Sequence, residues 1–345
     1  MIAIHDSHDS FSDRWKERAG QLGVPFRVVD CLAARIVEDL KGCEALLWHW
    51  DLNSSAALLV ARQIIRSAEL MGLTVFPDFE SCWHYDDKIA QKFLLDALDA
   101  PRVPTYVFFE RAAALSWIAE TRFPKVMKLS AGSGSTAVWL IHDRAEAERY
   151  CRKAFSNGFP SVPSYFADAR NKVSHVRSLK EFTTKLRRMP RLLLDLHEAR
   201  SLGRRERGYL YMQDFIPGNS CDTRITVIGN RAFGFRRKVR PGDFRASGSG
   251  NISYDPAEIA PETVSIAFGI ARKLGARSLA FDFARDPERG YVVLEMSYTY
   301  VSAAVARCPG HWDDALVWHE GSTWPEDAIL DDVLSTCRAA WPVKP

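Results

Sequence analysis

Ser278 to Tyr300 reads SLAFDFARDPERGYVVLEMSYTY, and the fold of the chain turns on how this stretch is taken. Leu279, Phe281 and Phe283 alternate with Ala280, Asp282 and Ala284. Beyond the turn-like Arg285-Asp-Pro-Glu-Arg-Gly290 the alternation resumes from Tyr291 to Ser297. A period of two on both sides of a Pro/Gly turn predicts a β-hairpin. A turn centred between Glu288 and Arg289 sets Asp282 opposite Glu295. Cross-strand Cβ atoms lie roughly 5 Å apart, so two carboxylates placed there repel unless a cation lies between them. Ser297 returns to their face, while Phe281, Phe283, Leu294 and Met296 point the other way into a core. Hard oxygen ligands over an apolar floor suit magnesium carried by phosphate. The alternative is a surface hairpin with two solvated acids, and a one-residue slip of register would part the pair.

The 345 residues are long for one core and comfortable for two or three subdomains. Forty-six basic against 43 acidic residues leave a charge of +3, which argues neither for nucleic acid nor for an anionic membrane surface. No stretch is apolar enough to span a membrane, and Met-Ile-Ala-Ile-His-Asp lacks the basic and apolar regions of a secretory signal. Cys31, Cys43, Cys82, Cys151, Cys221, Cys308 and Cys337 are scattered and show no C-x-x-C spacing. They read as reduced, buried thiols of a cytoplasmic protein.

Up to about residue 86, short apolar runs alternate with helical periods: IAIHDS, a helix around Trp15 to Leu22, PFRVVD, EALLWHW, a helix from Ser54 to Met71, then LTVFPD. This β-α-β-β-α-β rhythm predicts a small parallel sheet. Ligands of such sheets gather at the carboxyl ends of strands, where His5-Asp6-Ser7-His8-Asp9-Ser10 and His49-Trp50-Asp51 fall. Both clusters also read as helix caps and turns, and no third ligand completes a metal site with His5 and His8. Asp86-Asp87-Lys88 opens a helix with Ile89, Phe93, Leu94, Leu95 and Leu98 as its apolar stripe, ended by Pro101 and Pro104.

Strands over 105–109 and 125–129 flank a helix over 111–121. The loop Ser130-Ala-Gly-Ser-Gly-Ser-Thr136 follows, then a strand over 137–141. Such a loop can lay backbone N–H groups over phosphates, and it can equally be a plain hairpin loop. Between Asp168 and Gly208 stand twelve basic against five acidic residues, an insertion read either as a solvated face or as a surface for an anionic substrate. A new sheet begins at Tyr209 with YLYMQDFI, then 223–227 and 231–236. The Gly- and Arg-rich loop Pro241 to Gly250 follows, then a helix over 261–274. Arg245 in that loop suits phosphate or carboxylate. His311, Trp312 and Trp318 in the tail are expected to pack against the last helix rather than reach a substrate.

From Asp86 to Ser297 the order of parts resembles the ATP-grasp superfamily, and within it the RimK and glutathione synthetase-like ligases. The residues that carry the resemblance are Lys88 in D-D-K, Lys128 in FPKVMKL, the hinge Gln213-Asp214-Phe215-Ile216, Asp222-Thr-Arg224, Arg237 to Arg245, and Asp282, Glu295 and Ser297. Two positions depart from the pattern. Ser297 and Ser247 stand where similar proteins have asparagine, and a serine hydroxyl is a shorter ligand than an amide oxygen. FSDRW, CWHYDDK and CPGHWDDALVWHEG also look like a branch of this superfamily associated with cell-surface polysaccharide gene clusters.

The resemblance implies an α/β ATP-grasp fold. Its parts would be an N-terminal parallel-sheet domain (1–100), a central lid with the basic insertion (101–212) and a C-terminal antiparallel-sheet domain with the metal (213–345). It implies a ligase for a carboxylate and an amine or thiol, working through an acyl phosphate, with an amino acid, peptide or sugar uronate as acceptor. ATP would meet Lys88, Lys128, Ser133, Gly134 and Ser135 through its phosphates, and Gln213 to Ile216 through adenine, with Asp222 beside it. Magnesium, with manganese as substitute, would sit on Asp282, Glu295 and Ser297, while Arg237 and Arg245 hold the acid. A strand-end salt bridge is the other reading of Arg237. A homodimer is compatible with the resemblance; nucleic-acid and membrane partners are not expected. A kinase acting on a hydroxyl and a nucleotide-binding scaffold without turnover are the competing functions.

Overall fold

The computed structural model describes residues 1–7, 10–50, 52, 54–132, 137–160, 205–239 and 251–339. The chain divides into two compact units, one of Met1–Tyr85, Phe93–Arg102 and Asn219–Pro345, the other of Asp86–Lys92 and Val103–Gly218.

The first unit opens with the parallel sheet that the apolar rhythm predicts. Its strands are β1 (Ile2–His5), β2 (Phe26–Val29), β3 (Ala45–Leu47) and β4 (Thr74–Phe76), ordered β2-β1-β3-β4. The strand β3 is buried at every residue, as a central strand covered on both faces must be. Helix Phe11–Gln21 starts where Ser10 accepts the Ser12 N–H, and helix Ser55–Leu70 where Ser54 accepts that of Ala57. A short helix, Ile36–Asp39, lies in the crossover from β2 to β3, a connection too polar and irregular to show a helical period.

The same unit holds a second, larger sheet. Its strands are β11 (Cys221–Ile228), β12 (Arg231–Lys238), β13 (Ile252–Ser253), β14 (Ser278–Asp286), β15 (Gly290–Ser297), β16 (Gly310–Trp312) and β17 (Trp318–Glu320). They run in the order β15-β14-β11-β12-β16-β17, with β13 also paired to β12. Helix Pro261–Leu274 begins with proline at its first position, ends on Gly275 at φ +67° and packs against β11, β12 and β14. The closing helix Pro325–Ala339 packs against helix Phe11–Gln21, β4 and β11. One core therefore runs through both sheets of the unit. Trp15, Trp48, Phe76, Phe233, Phe281, Phe283 and Tyr298 are fully buried in it, each worth about 2–3 kcal/mol of apolar transfer.

The hairpin β14–β15 reaches the expected pairing by a different route. From Asp286↔Gly290 to Phe283↔Val293 the register centres the turn on Glu288, half a residue from the predicted centre. A bulge then skips Leu294, and Asp282 faces Glu295 after all. Val293, 1% exposed, takes the inward place beside Phe283 that had been expected of Leu294. At the bulge the outer edge of β15 is used, since Val293 N–H donates to Pro101 O at 2.8 Å and Arg102 bridges to Val293.

One other expectation needs correction. Phe93 is 48% exposed, and the buried face of helix Lys88–Ala97 runs through Lys88, Gln91 and Leu95. Trp312 and Trp318 meet ring to ring at 4.6 Å across β16 and β17, which extend the sheet beyond β12. Three-residue strands are too short to declare a period.

The second unit is built on β5 (Thr105–Phe108), β6 (Lys125–Lys128), β7 (Val138–Ile141) and β10 (Leu210–Asp214), antiparallel in the order β5-β10-β6-β7. A two-stranded pair, β8 (Phe159–Pro160) and β9 (Arg205–Glu206), stands apart. Helices Arg111–Glu120 and Arg144–Ala154 cover the sheet, enclosing Ala114, Ile118, Met127, Ile141, Cys151 and Met212.

Candidate functional site

Alternation along four neighbouring strands places one charged row across a single face of the larger sheet. Glu295 on β15 faces Asp282 on β14, Asp282 faces Arg224 on β11, and Asp222 on β11 faces Arg237 on β12. Arg224 Nε donates to Asp282 Oδ1 at 2.7 Å and its Nη2 to Oδ2 at 2.8 Å. Arg237 forks onto Asp222, Nε to Oδ1 at 2.8 Å and Nη2 to Oδ2 at 2.6 Å, and the same Nη2 lies 2.8 Å from Asp282 Oδ2. Phe281, Phe283 and Ile225 lie beneath, on the opposite face, and are buried.

The two aspartates differ in the number of cations beside them. Burial would push the Asp282 carboxyl up, but Arg224 and Arg237 together hold it well below the usual carboxylate range. Among the described residues Asp222 has one cation, Arg237, at hydrogen-bond distance; burial prevails there and its pKa is raised. Burial also works against the charge on Arg237, yet the two carboxylates keep its pKa above the ordinary value. The Nε and Nη2 of Arg237 are both engaged by carboxylates.

Asp282, Glu295 and the Ser297 hydroxyl are hard oxygen donors of the kind magnesium takes. The guanidinium of Arg224 already shows that a cation is accommodated on Asp282. Among the described residues no three or more His, Cys, Asp or Glu side chains converge on one point. The pair therefore fits an ion that brings other ligands with it, as a phosphate-bound ion does. The Ser297 hydroxyl donates to Thr299 O at 2.8 Å and accepts the Thr299 N–H at 3.2 Å.

In the second unit a different group of residues roots the glycine and serine loop. Asp87 caps helix Lys88–Ala97 through the Ile89 and Ala90 N–H groups and also accepts from Ser130 Oγ at 2.8 Å. Gly132 N–H donates to Asp86 Oδ1 at 2.8 Å, and Lys88 Nζ donates to Gly132 O at 2.7 Å. Tyr209, whose hydroxyl accepts the Ser130 N–H at 2.7 Å and donates to Glu206, completes the root and had no signal in the sequence. Lys88 is 6% exposed. Lys128 ends β6.

The expected adenine hinge begins inside the sheet. Gln213 pairs with Thr105 and Val126, and its side chain donates to Thr105 Oγ1 at 3.1 Å. Asp214 N–H donates to Pro104 O at 2.9 Å and its carboxylate accepts from Lys125 Nζ at 2.6 Å, so Phe215 and Ile216 are the first residues past the ladder.

At the N-terminal sheet, His5 Nδ1 accepts the Cys31 N–H at 3.0 Å. His49 stacks on Phe11 at 3.8 Å, and its Nε2 lies 2.7 Å from Thr299 Oγ1, two residues beyond Ser297. His8, Asp9, Asp51, Ser133, Gly134, Ser135, Thr136, Arg245, Ser247 and most of the basic insertion lie outside the described residues.

An antiparallel sheet carrying paired acids, a second antiparallel sheet and a parallel N-terminal sheet make the ATP-grasp fold. Solved structures share it. A RimK domain ATP-grasp protein from Sphaerobacter thermophilus is similar with TM-score 0.55 at 19% identity, over 96% of this chain and 99% of that one. The biotin carboxylase domain of Hydrogenobacter thermophilus 2-oxoglutarate carboxylase, in complex with MgADP, ADP and bicarbonate, gives 0.60 at 14% identity over 100% and 70%. D-cycloserine synthetase gives 0.56 at 15% identity over 96% and 99%. More narrowly, residues 194–304 match the family model of the RimK-like ATP-grasp domain. No curated protein matches the sequence significantly.

Proposed function

We propose that the protein is an ATP-dependent ligase that joins a carboxylate to an amine, or a thiol, through an acyl phosphate. The observation that carries this reading is the Asp282–Glu295 pair, in register on neighbouring strands beside two arginines in an ATP-grasp fold. That the fold is shared with D-cycloserine synthetase and with a domain bound to MgADP and bicarbonate supports it.

In this reading a carboxylate oxygen of the acid takes the γ-phosphoryl group of ATP and ADP leaves. The amine nitrogen then attacks the acyl carbon, phosphate departs with the C–O bonding electrons, and the amine gives up a proton. The protein supplies position and charge. Lys88 and Lys128 would neutralise the phosphates, with the loop from Ser130, including Ser133, Gly134 and Ser135, over them. Phe215 and Ile216, just past the ladder, would offer backbone groups to adenine, with Gln213 and Asp214 holding that edge in place. A magnesium ion, or manganese, would be held by Asp282, Glu295 and the Ser297 hydroxyl and would neutralise charge on the β- and γ-phosphates.

Asp222 would keep Arg237 in place, and Arg237 with Arg245 would balance the charge of the acid and its acyl phosphate. The carboxyl ends of β1 and β3, from which the neighbouring crossovers lead in opposite directions, would receive the acceptor: an amino acid, a peptide or a sugar uronate.

Hydroxylamine tests this directly, because it traps acyl phosphates as hydroxamates. Pooled carboxylic acids with Mg-ATP and hydroxylamine should give hydroxamate and ADP in equal amounts. Phosphorylation of a hydroxyl without hydroxamate would replace the ligase with a kinase. A nucleotide-binding scaffold is the reading favoured by Ser297, whose hydroxyl is turned to the Thr299 backbone. It predicts nucleotide binding with neither product.

A further inference from the structure

Asp282 is the carboxylate on which the proposed metal role depends, yet guanidinium groups already occupy it. Its Oδ1 accepts Arg224 Nε at 2.7 Å, and its Oδ2 accepts Arg224 Nη2 and Arg237 Nη2, both at 2.8 Å. An ionised carboxylate offers about four lone-pair sites. Three are taken, and the remaining one, on Oδ1, lies next to a positive charge.

The two arginines are not equivalent. Arg237 also forks onto Asp222, and its side chain is 9% exposed, so it keeps a carboxylate whatever happens at Asp282. Arg224 has no other hydrogen-bonding partner than Asp282 among the described residues, and its side chain is 19% exposed. A divalent cation and a guanidinium repel each other when they share one carboxylate, and the one with less holding it gives way.

We propose that Arg224 is an exchangeable stand-in for the metal. It neutralises Asp282 in the metal-free protein and yields that carboxylate when a divalent cation binds with nucleotide. It then presents a forked guanidinium to an anionic oxygen of the acid, while Arg237 stays on Asp222. The inference rests on the metal role proposed above for Asp282. It implies an order of binding: the site for the acid's charge is complete only after the metal nucleotide has bound.

The test is Mn2+ binding to the full-length protein in the presence of the non-hydrolysable nucleotide AMP-PNP, followed by the EPR signal of free Mn2+. Arg224→Gln removes the competitor and should bind Mn2+ about tenfold more tightly than wild type. Arg224→Lys keeps the charge and should stay within about threefold of it. Unchanged or weaker binding in Arg224→Gln overturns the proposal and leaves Arg224 as a structural holder of Asp282, with the metal reading intact. Wild-type-like binding by Asp282→Asn, or no binding by the wild type, removes the metal reading itself and the inference with it.

Should Arg224→Gln not fold, the wild type still decides. In 15N-arginine spectra, Mg2+ with AMP-PNP should speed solvent exchange of the Arg224 Nε–H and leave that of Arg237 protected. Two unchanged signals overturn the exchange.

Discussion

Asp282 stays ionised because two guanidinium groups offset the cost of its burial, and its neighbours differ in how much they rely on it. Arg237→Gln would leave Asp222 without its cation and Asp282 with one. Breaking such a buried pair from one side costs about 3–5 kcal/mol, which denaturant unfolding would read as a lower midpoint. Glu295→Ala removes the acid that faces Asp282 across the hairpin. It should abolish Mg-dependent ADP release while leaving the melting temperature nearly unchanged; undiminished activity would contradict the metal assignment.

Glu326 provides a pH test away from the site. It is 4% exposed, its Oε2 has no hydrogen-bond partner among the described residues, and burial raises its pKa. A carboxyl whose folded pKa is raised binds its proton more tightly in the native state, so it costs stability as pH rises past about 4.3, the unfolded value. Glu326→Gln should therefore match wild type at pH 4 and unfold at higher denaturant at pH 8. Equal midpoints at both pH values would show that the side chain is not held against its charge.

Among the secondary-structure elements, what was legible in the sequence is what repeats locally. The alternation from Leu279 to Met296 gave away the hairpin, and the Asp282–Glu295 pairing was recovered although the turn centre was half a residue off. The bulge at Leu294 made up the difference. Its location coincides with the contact of Val293 with Pro101, nearly two hundred residues away, which no local pattern announces.

The Arg224–Asp282 pair was hidden for the same reason. Both residues stand out, but their meeting depends on β11 lying between β14 and β12. β16 and β17 were missed because they are too short for a period. Their packing can nonetheless be tested at Gly310, where a Cβ would lie 2.2 Å from His319 O and 2.6 Å from the Trp318 ring. Gly310→Ala should cost about 1–3 kcal/mol, read as a lower melting temperature, by forcing the two strands apart.

For the molecule as a whole, the parallel sheet and the large antiparallel sheet of the first unit share one core, and Tyr298 shows how closely. Its hydroxyl bonds to Trp50 O, and its ring packs against Trp50, Phe76 and Tyr85. The segment just past Ser297 is thereby tied to the carboxyl end of β3, and His49 to Thr299. The order of motifs from Asp86 to Ser297 made the fold readable. The identity of any substrate is not written there, because recognition of small molecules rests on the shape of surfaces assembled from distant loops.

The central claim is the ligase, and ADP release tests it most directly. Purified protein with Mg-ATP would be screened against pools of carboxylic acids, with and without mixed amines. ADP that appears only when an acid and an amine are both present is the predicted result. Release at full rate with hydroxylic compounds alone, or bound ATP that no pool turns over, would contradict it.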